Sequence, residues 1–128
     1  MSRALALVLL LAAAVPGAPK KTKPPEVEVL EAVSHRTEGV IKLDGRVRNS
    51  SAKVIQGLIV LFDFMAPGGA VVSTQKCPVD EEVLESGKDA GFRVQMVDEV
   101  RAVNYRMRAE DKNGRDLRIA NSGPFPID

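Results

Sequence analysis

The side chains with the widest chemical repertoire in this sequence are a single histidine, His35, and a single cysteine, Cys77. Nucleophilic catalysis needs a base placed beside an activated nucleophile, and the G-x-S-x-G elbow that exposes a catalytic serine does not occur. His35 stands in a polar stretch and is interpreted as a solvated loop histidine. Cys77 precedes Pro78 and is interpreted as a small buried apolar side chain. The alternative is a thiol that pairs with a partner protein.

Metal and cofactor chemistry would need more ligands than these two residues supply. Zinc takes three or four ligands from Cys, His and carboxylates, which one distant Cys and His do not provide. Soft ligands select copper, and the soft candidates here are Met65, Met96, Met107, Cys77 and His35. Met96 and Met107 fall on inward strand faces, however, where filling the core explains them better. We therefore predict no metal and no cofactor.

Adjacent carboxylates and glycine-rich turns complete the search for chemistry. The carboxylates occur as Asp80-Glu81-Glu82, Asp98-Glu99 and Glu110-Asp111, each in or near a turn, and are interpreted as solvated loop charge. Pro67-Gly68-Gly69 joins two strands and opens no helix, so it does not predict a phosphate cradle. These patterns indicate a protein that is not an enzyme.

Composition argues against nucleic acid as a partner. The 128 residues carry 18 Lys and Arg against 17 Asp and Glu, and only 4% are aromatic, with no Trp. Single-stranded nucleic acid is usually read by aromatic stacking within a basic groove, and neither feature is visible here. The single cysteine also excludes an intramolecular disulfide.

The N-terminus has the three-part layout of a secretory signal. Residues 1–18 contain a basic residue at Arg3, an apolar stretch over residues 4–15, and small residues at Gly17 and Ala18. That stretch is shorter than the roughly 20 residues of a membrane-spanning helix, so we expect a cleaved signal and no integral span afterwards. Its removal takes Arg3 away and leaves 17 basic against 17 acidic residues. We expect a periplasmic or extracellular location.

Beyond the signal, composition separates a linker from one folded domain. Residues 19–25 are rich in Pro and Lys and lack apolar periodicity, as in an extended solvated linker. Residues 26–128 are enough for one domain with one core.

Apolar residues in that domain recur mostly with period two, which is typical of half-buried strands. Residues 39–49 are the clearest case, with Ile41, Leu43, Gly45 and Val47 on one face. Residues 54–64 are apolar on both faces and are predicted to be a central strand. A single helical turn is expected at residues 79–84, around the acidic residues 80–82, and Asn113-Gly114 predicts a hairpin with positive φ at both residues.

About seven short strands separated by turns predict an all-β protein, an immunoglobulin-like antiparallel β-sandwich. The aliphatic and aromatic core is expected to be centred on Leu43, Val47, Val60, Phe62, Phe92, Tyr105 and Met107. The Tyr105 hydroxyl is expected to bond to nearby backbone, as a corner tyrosine does in such sandwiches.

One surface feature predicts a contact with a partner. If Ile59 and Leu61 lie beside Arg106 and Arg108, with Arg118 on the next hairpin strand, their outward faces would form a patch that is both apolar and cationic. The competing interpretation is that the leading segment, residues 27–33, or another part of the chain covers Ile59 and Leu61.

The residues also resemble a known family. The succession resembles the bacterial FxLYD-type domain: Leu43-x-Gly45-x-Val47-x-Asn49-Ser50-Ser51, Ile59-x-Leu61-Phe62-Asp63, Gly69 with Val71-Val72, Leu84-x-x-Gly87, Phe92 and Val103-x-Tyr105. It spans roughly residues 39–119 and departs at the naming motif, where Ile59 and Phe62 replace Phe and Tyr. The resemblance implies an immunoglobulin-like module of exported or membrane-attached proteins and transfers no catalytic residue.

Together these features predict a non-enzymatic exported domain that acts as a protein-interaction or accessory module of the cell envelope, with another envelope protein as its partner. The alternative is an envelope enzyme or metal carrier whose site has no recognisable motif.

Overall fold

The computed structural model describes residues 23–98 and 101–128. The predicted signal, residues 1–18, and all but the last three residues of the predicted linker lie outside the described residues. Eleven strands form within them, and no helix does. Their bounds are β1 (Val27–Thr37), β2 (Val40–Asn49), β3 (Ile55–Gln56), β4 (Ile59–Met65), β5 (Val71–Pro78), β6 (Val83–Leu84), β7 (Asp89–Val97), β8 (Asn104–Glu110), β9 (Asp116–Leu117), β10 (Ile119–Ala120) and β11 (Phe125–Pro126).

Two sheets pack face to face. The first has the order β10-β1-β2-β7, and the second has the order β11-β8-β4-β5 with β9 also on β8. All pairs are antiparallel except β1 with β10. A small third sheet pairs β3 with β6. The predicted antiparallel β-sandwich is confirmed, with six strands of seven or more residues and several short ones.

The core lies between the two sheets, and the period-two pattern identified it correctly. Every residue predicted for its centre is buried. Phe62 contacts the rings of Phe92 and Tyr105, with centroids 5.4 and 6.0 Å apart, in the tilted and edge-on arrangements that aromatic pairs favour. Tyr105 also contacts Phe125 of the C-terminal strand.

The Tyr105 hydroxyl behaves differently from the expectation. Burial and the nearby Asp44 carboxylate raise the pKa of Tyr105 to about 12, and no hydrogen bond to its hydroxyl contributes to that value within the described part of the chain. The ring therefore serves as a packing element, and no backbone group of residues 23–98 and 101–128 forms the expected bond with the hydroxyl.

Three local predictions were wrong. Residues 80–82 form a bend, because Val83 and Leu84 pair with Gln56 and Ile55 as strand β6 instead of closing a helical turn. The predicted strand over residues 54–64 is interrupted at Gly57, whose φ of 61° turns the chain between β3 and β4. In the hairpin loop only Gly114 has positive φ, at 77°.

The hairpin loop differs from the predicted type because the Asp111 side chain forms hydrogen bonds within it. The Asp111 side-chain oxygen accepts hydrogen bonds from the backbone N–H groups of Asn113 and Arg115, at 2.9 and 3.1 Å, while Gly114 N–H bonds the Asp111 carbonyl. This arrangement makes a three-residue loop that ends in a left-handed glycine, the second common hairpin type.

Candidate interaction surface on the second sheet

Strand β4 runs through the middle of the second sheet and presents alternate residues to each side. Val60, Phe62 and Phe64 enter the core. Ile59, Leu61 and Asp63 lie on the other side, with their register partners on β8 and β5. We call this surface the β4 outer face and define it by Ile59, Leu61, Asp63, Thr74, Lys76, Arg106, Arg108 and Glu110.

Asp63 is the centre of the polar contacts on the β4 outer face. Arg108 donates to both of its carboxylate oxygens, from Nε at 2.7 Å and from Nη2 at 2.9 Å, and the Thr74 hydroxyl donates at 2.9 Å. Arg106 Nη2 lies 3.9 Å away. The Arg108 hydrogen bonds hold the pKa of Asp63 below its ordinary value, against the opposing effect of burial. The two-pronged contact fixes the Arg108 guanidinium in one orientation.

A second ion pair crosses strand β4. Lys76 Nζ lies 3.7 Å from Glu110 Oε1, although Lys76 stands on β5 and Glu110 on β8. These strands flank β4 and are about 10 Å apart, so both side chains must extend over it. Lys76 is the register partner of Leu61 and Glu110 that of Ile59. The pair therefore passes above these two apolar residues.

This crossing explains the low exposure of the apolar part of the predicted patch. Leu61 is only 4% exposed, and Ile59 is half-buried. Residues 27–33, the cover considered from the sequence, lie instead within strand β1 of the first sheet. Lys76 and Arg108, the register partners of Leu61, place long side chains on either side of it.

Four of the five predicted patch residues lie together, and Arg118 lies apart. Ile59, Leu61, Arg106 and Arg108 share the β4 outer face. Arg118 points toward the start of the domain, where its Nε donates to the Pro24 carbonyl at 2.8 Å and its backbone N–H donates to Glu26 at 3.0 Å.

Arg118 belongs to a clamp around Glu26. Arg115 Nη2 lies 3.1 Å from the Glu26 carboxylate, and the Arg118 carbonyl accepts from the N–H groups of Glu26 and Val27. Burial alone would raise the pKa of Glu26, but the hydrogen bonds from Arg118 and Arg115 lower it. The clamp ties the N-terminal end of the domain to the β9–β10 connection.

The residues first considered for catalysis are separated. His35 is exposed on strand β1 opposite Lys42, a strand position where a loop was expected. Cys77 is buried on β5, as interpreted from the sequence, and its thiol lies 3.3 Å from the Arg93 carbonyl of β7. Burial raises the pKa of the Cys77 thiol, which disfavours the reactive thiolate.

Several carboxylates interpreted as solvated charge have structural partners instead. Asp80 accepts from Gly91 N–H at 3.0 Å, and Asp98 accepts from Arg36 Nε at 2.8 Å. Asp111 organises the hairpin, and Glu110 pairs with Lys76. Across residues 23–98 and 101–128 no three His, Cys, Asp or Glu side chains are grouped closely enough to hold a metal ion. In the same residues no helix is long and apolar enough to span a membrane.

Sequence reasoning missed Asp63 as the organiser of the β4 outer face. The signal was present, because Asp63 is the one charged residue in the apolar run of residues 58–65. A carboxylate buried in a central strand must be paired or hydrogen-bonded, so it predicts a cation on a neighbouring strand. The identity of that cation depended on strand order.

The comparisons with known proteins bear on the fold. No family model matches the chain, and no curated protein matches its sequence. Bacteroides uniformis β-glucuronidase 2, solved bound covalently to cyclophellitol-6-carboxylate aziridine, is similar to 73% of this chain with a TM-score of 0.53 and 12% identity. This chain spans about 13% of that protein. IrmA from Escherichia coli is similar to 80% of this chain with a TM-score of 0.50 and 12% identity, and 95% of IrmA is covered.

These likenesses define the class of protein as a β-sandwich domain. At 12% identity they carry the fold alone. The same architecture occurs as a small part of the large glucuronidase chain and as nearly the whole of IrmA.

Proposed function

We propose that this protein is a non-enzymatic, exported domain that acts as a protein-interaction or accessory module of the cell envelope. The observation that carries the proposal is the β4 outer face, where Asp63, which also accepts a hydrogen bond from Thr74, holds Arg108 in a fixed orientation on the broad side of a sheet. Arginine is enriched in protein interfaces. An arginine that is already held in one orientation loses less conformational entropy when it binds a partner.

Export is the second element of the proposal. It is supported by the basic, apolar and small-residue layout of residues 1–18 and by the Pro and Lys composition of residues 19–25. Such an extended segment would keep the β-sandwich apart from the signal during export and cleavage.

We also propose that the domain is of the FxLYD type. The motif residues behind the resemblance are in contact: Asn49 Nδ2 donates to the Leu84 carbonyl at 2.8 Å, and Gly87 N–H donates to the Asn49 carbonyl at 2.8 Å. Ser51 bonds the Asn49 side chain at 2.9 Å. These contacts show that residues far apart in the motif bond one another in the fold, which supports the assignment.

Export is tested by producing the full-length chain in a bacterial host and measuring its location and intact mass. We expect an envelope-located product shortened by about 18 of its 128 residues. Leu9→Arg interrupts the apolar stretch and should leave full-length protein in the cytoplasm. A wild-type chain that stays in the cytoplasm at full mass would contradict the export element.

The interaction element is tested by cross-linking in intact cells and identification of the linked proteins. We expect one envelope protein to be linked at β4, β5 or β8, with Arg106→Glu reducing the yield and Arg48→Glu, an exposed arginine on the other sheet, leaving it unchanged. Stoichiometric metal in the purified chain would support the metal carrier considered above, and recovery of the chain without any linked protein would contradict the proposal.

A further inference from the structure

The charges of the β4 outer face are layered. The side chains of Lys76, Arg106 and Arg108 are 61%, 47% and 47% exposed, whereas those of Asp63 and Glu110 are 6% and 17% exposed. The three cations and two carboxylates nearly balance in number, but the carboxylates lie beneath the cations. An approaching molecule therefore meets a positive surface.

We propose that this surface docks an acidic segment of a protein partner, with Lys76 and Arg106 binding its carboxylates and Ile59 receiving an apolar side chain. The inference rests on the proposed function and names the chemistry of its partner. Complementary charge selects the partner and speeds the encounter, and a central apolar contact contributes to affinity.

The Lys76–Glu110 pair makes the surface adaptable. Its N···O distance of 3.7 Å and the exposure of Lys76 place it among surface ion pairs, which contribute about 0–1 kcal/mol. A partner carboxylate can take over Lys76 at small cost, and the movement of that side chain uncovers Ile59 and Leu61. Arg108 stays in place because Asp63 holds it through two hydrogen bonds.

The neighbouring carboxylates favour a protein segment over a uniform polyanion. Asp116 is exposed on β9 and lies opposite Glu110 in the β8–β9 pair, so negative charge borders the cations at one end. A nucleic acid or an anionic glycan presents negative charge along its whole length and would meet these carboxylates. A folded or extended protein segment can place its acidic groups over the cations alone.

The test uses peptides as probes and the full-length chain in the form that cells accumulate. Three dodecapeptides alternate Leu with Glu, Lys or Ser, and each is titrated into uniformly ¹⁵N-labelled protein while amide shifts are recorded. We expect the Glu peptide to shift amides of β4, β5 and β8, with weaker binding at high salt. Equal binding of the Lys peptide, shifts confined to the first sheet, or no shift at millimolar peptide would overturn the inference.

Matched variants assign the contact to the proposed residues. Lys76→Glu with Arg106→Glu should weaken binding of the Glu peptide at least about tenfold, because like charges then face each other. Lys76→Gln with Arg106→Gln gives a milder second pair should the first fail to fold. Arg48→Glu, which reverses one exposed charge on the outer side of the first sheet, should leave binding unchanged. An equal loss in Arg48→Glu would contradict a localised site.

A further measurement compares an acidic peptide with polyanions that are not proteins. Heparin and vesicles rich in phosphatidylglycerol are compared with the Glu peptide at equal ionic strength, and binding of either polyanion to the β4 outer face as tightly as the peptide would overturn the inference. Its failure is distinguishable from that of the proposed function, since a cross-linked envelope partner on another surface would leave the proposed function standing.

Discussion

At the scale of single residues, Asn49 does the most to connect the loops at one end of the sandwich. Its side chain is fully buried, donates to the carbonyls of Lys53 and Leu84 at 2.7 and 2.8 Å, and accepts from the N–H and hydroxyl of Ser51. In the sequence, Asn49 stood out only as a member of the spaced FxLYD-like motif. A buried amide with all its partners present stabilises two loops at once, because each bond would otherwise leave a polar group unpaired.

We predict that Asn49→Ala lowers the free energy of unfolding by about 3 kcal/mol, since it leaves two carbonyls without their donor. Urea unfolding followed by circular dichroism measures the change. Asn113→Ala, an exposed asparagine in the hairpin loop, is the control and should change stability by less than about 0.5 kcal/mol. Equal effects of the two substitutions would show that the Asn49 network contributes little.

Asp63 gives the protein a predictable response to acid. Because its folded pKa lies below the ordinary value of 3.8, ionised Asp63 stabilises the fold fully at pH values above that range. The contribution is lost as the pH falls through the lower, folded pKa. We expect Asp63→Asn to be less stable than wild type at pH 7, with a difference that narrows below pH 3.8.

Chemical unfolding at several pH values between about 7 and 2 measures this difference. Asp116→Asn removes the same charge from an exposed position on strand β9, which pairs with β8, and serves as the matched comparison. Coincident stability curves for the two variants would contradict the assigned role of Asp63.

At the scale of elements, a glycine on β2 allows the backbone of β1 and the ring of Phe92 to approach that strand closely. Gly45 lies opposite Ala32 and Phe92, beside the irregularity at Val29/Glu31 in strand β1. A Cβ placed there would overlap the Glu31 carbonyl oxygen and stand 2.7 Å from the Phe92 ring. Only glycine fits such an approach, which explains its place on an otherwise apolar strand face.

We predict that Gly45→Ala destabilises the protein by about 2–3 kcal/mol, because backbone of β1 cannot move aside without breaking the strand pairing. Thermal and urea unfolding measure the loss. Gly91→Ala on the neighbouring strand β7 is the control, since its Cβ would come closest to the end of the flexible Asp80 side chain, at 3.0 Å, and would meet Arg46 and the Gly45 carbonyl only at an ordinary contact distance of 3.6 Å. A Gly45→Ala protein as stable as Gly91→Ala would refute the close approach.

The edge strand β5 carries its own protection against pairing with other chains. Val79 N–H donates to the Leu58 carbonyl, and in an antiparallel pair every second residue is hydrogen-bonded to the partner strand. The backbone groups of Thr74, Lys76 and Pro78 therefore point away from β4. Proline has no N–H to offer at such a position, and lysine opposes the approach of another strand. The broad side of the sheet is therefore a better docking surface than its edge.

At the scale of the whole molecule, the C-terminal residues join the two sheets. Strand β9 pairs with β8, β10 crosses to pair with β1, and β11 returns to β8. The Ser34 hydroxyl on β1 donates to the Pro126 carbonyl at 3.2 Å, which adds a further link. On the opposite side of the sandwich, the Cys77 thiol of β5 reaches the Arg93 carbonyl of β7.

This closure predicts that Cys77 reports on global unfolding. The thiol is 6% exposed and its pKa is raised by burial, so a thiol reagent should react slowly with the native protein. We expect the labelling rate to rise with urea in parallel with unfolding measured by circular dichroism. A labelling rate that is independent of urea would show that the β5–β7 side opens locally.

The sequence by itself determined the fold class, the core and the faces of the main strands, because the side-chain period of a strand and the position of turn residues are local properties. It indicated that Ile59 and Leu61 share one side of their strand and that Arg106 and Arg108 share one side of theirs, since alternation fixes which side each residue takes. It also predicts a secretory signal in residues 1–18, because the layout of such a signal is a local property of composition.

Only the tertiary structure decided which strands are neighbours, and every long-range polar contact depends on that order. The Asp63–Arg108 contact and the Lys76–Glu110 crossing join residues 34 or more positions apart, and Arg118 left the predicted patch because β10 crosses to the other sheet. Side-chain pairing across strands is a property of register, which the period-two pattern does not specify between separate strands. The layered charge of the β4 outer face follows from that register.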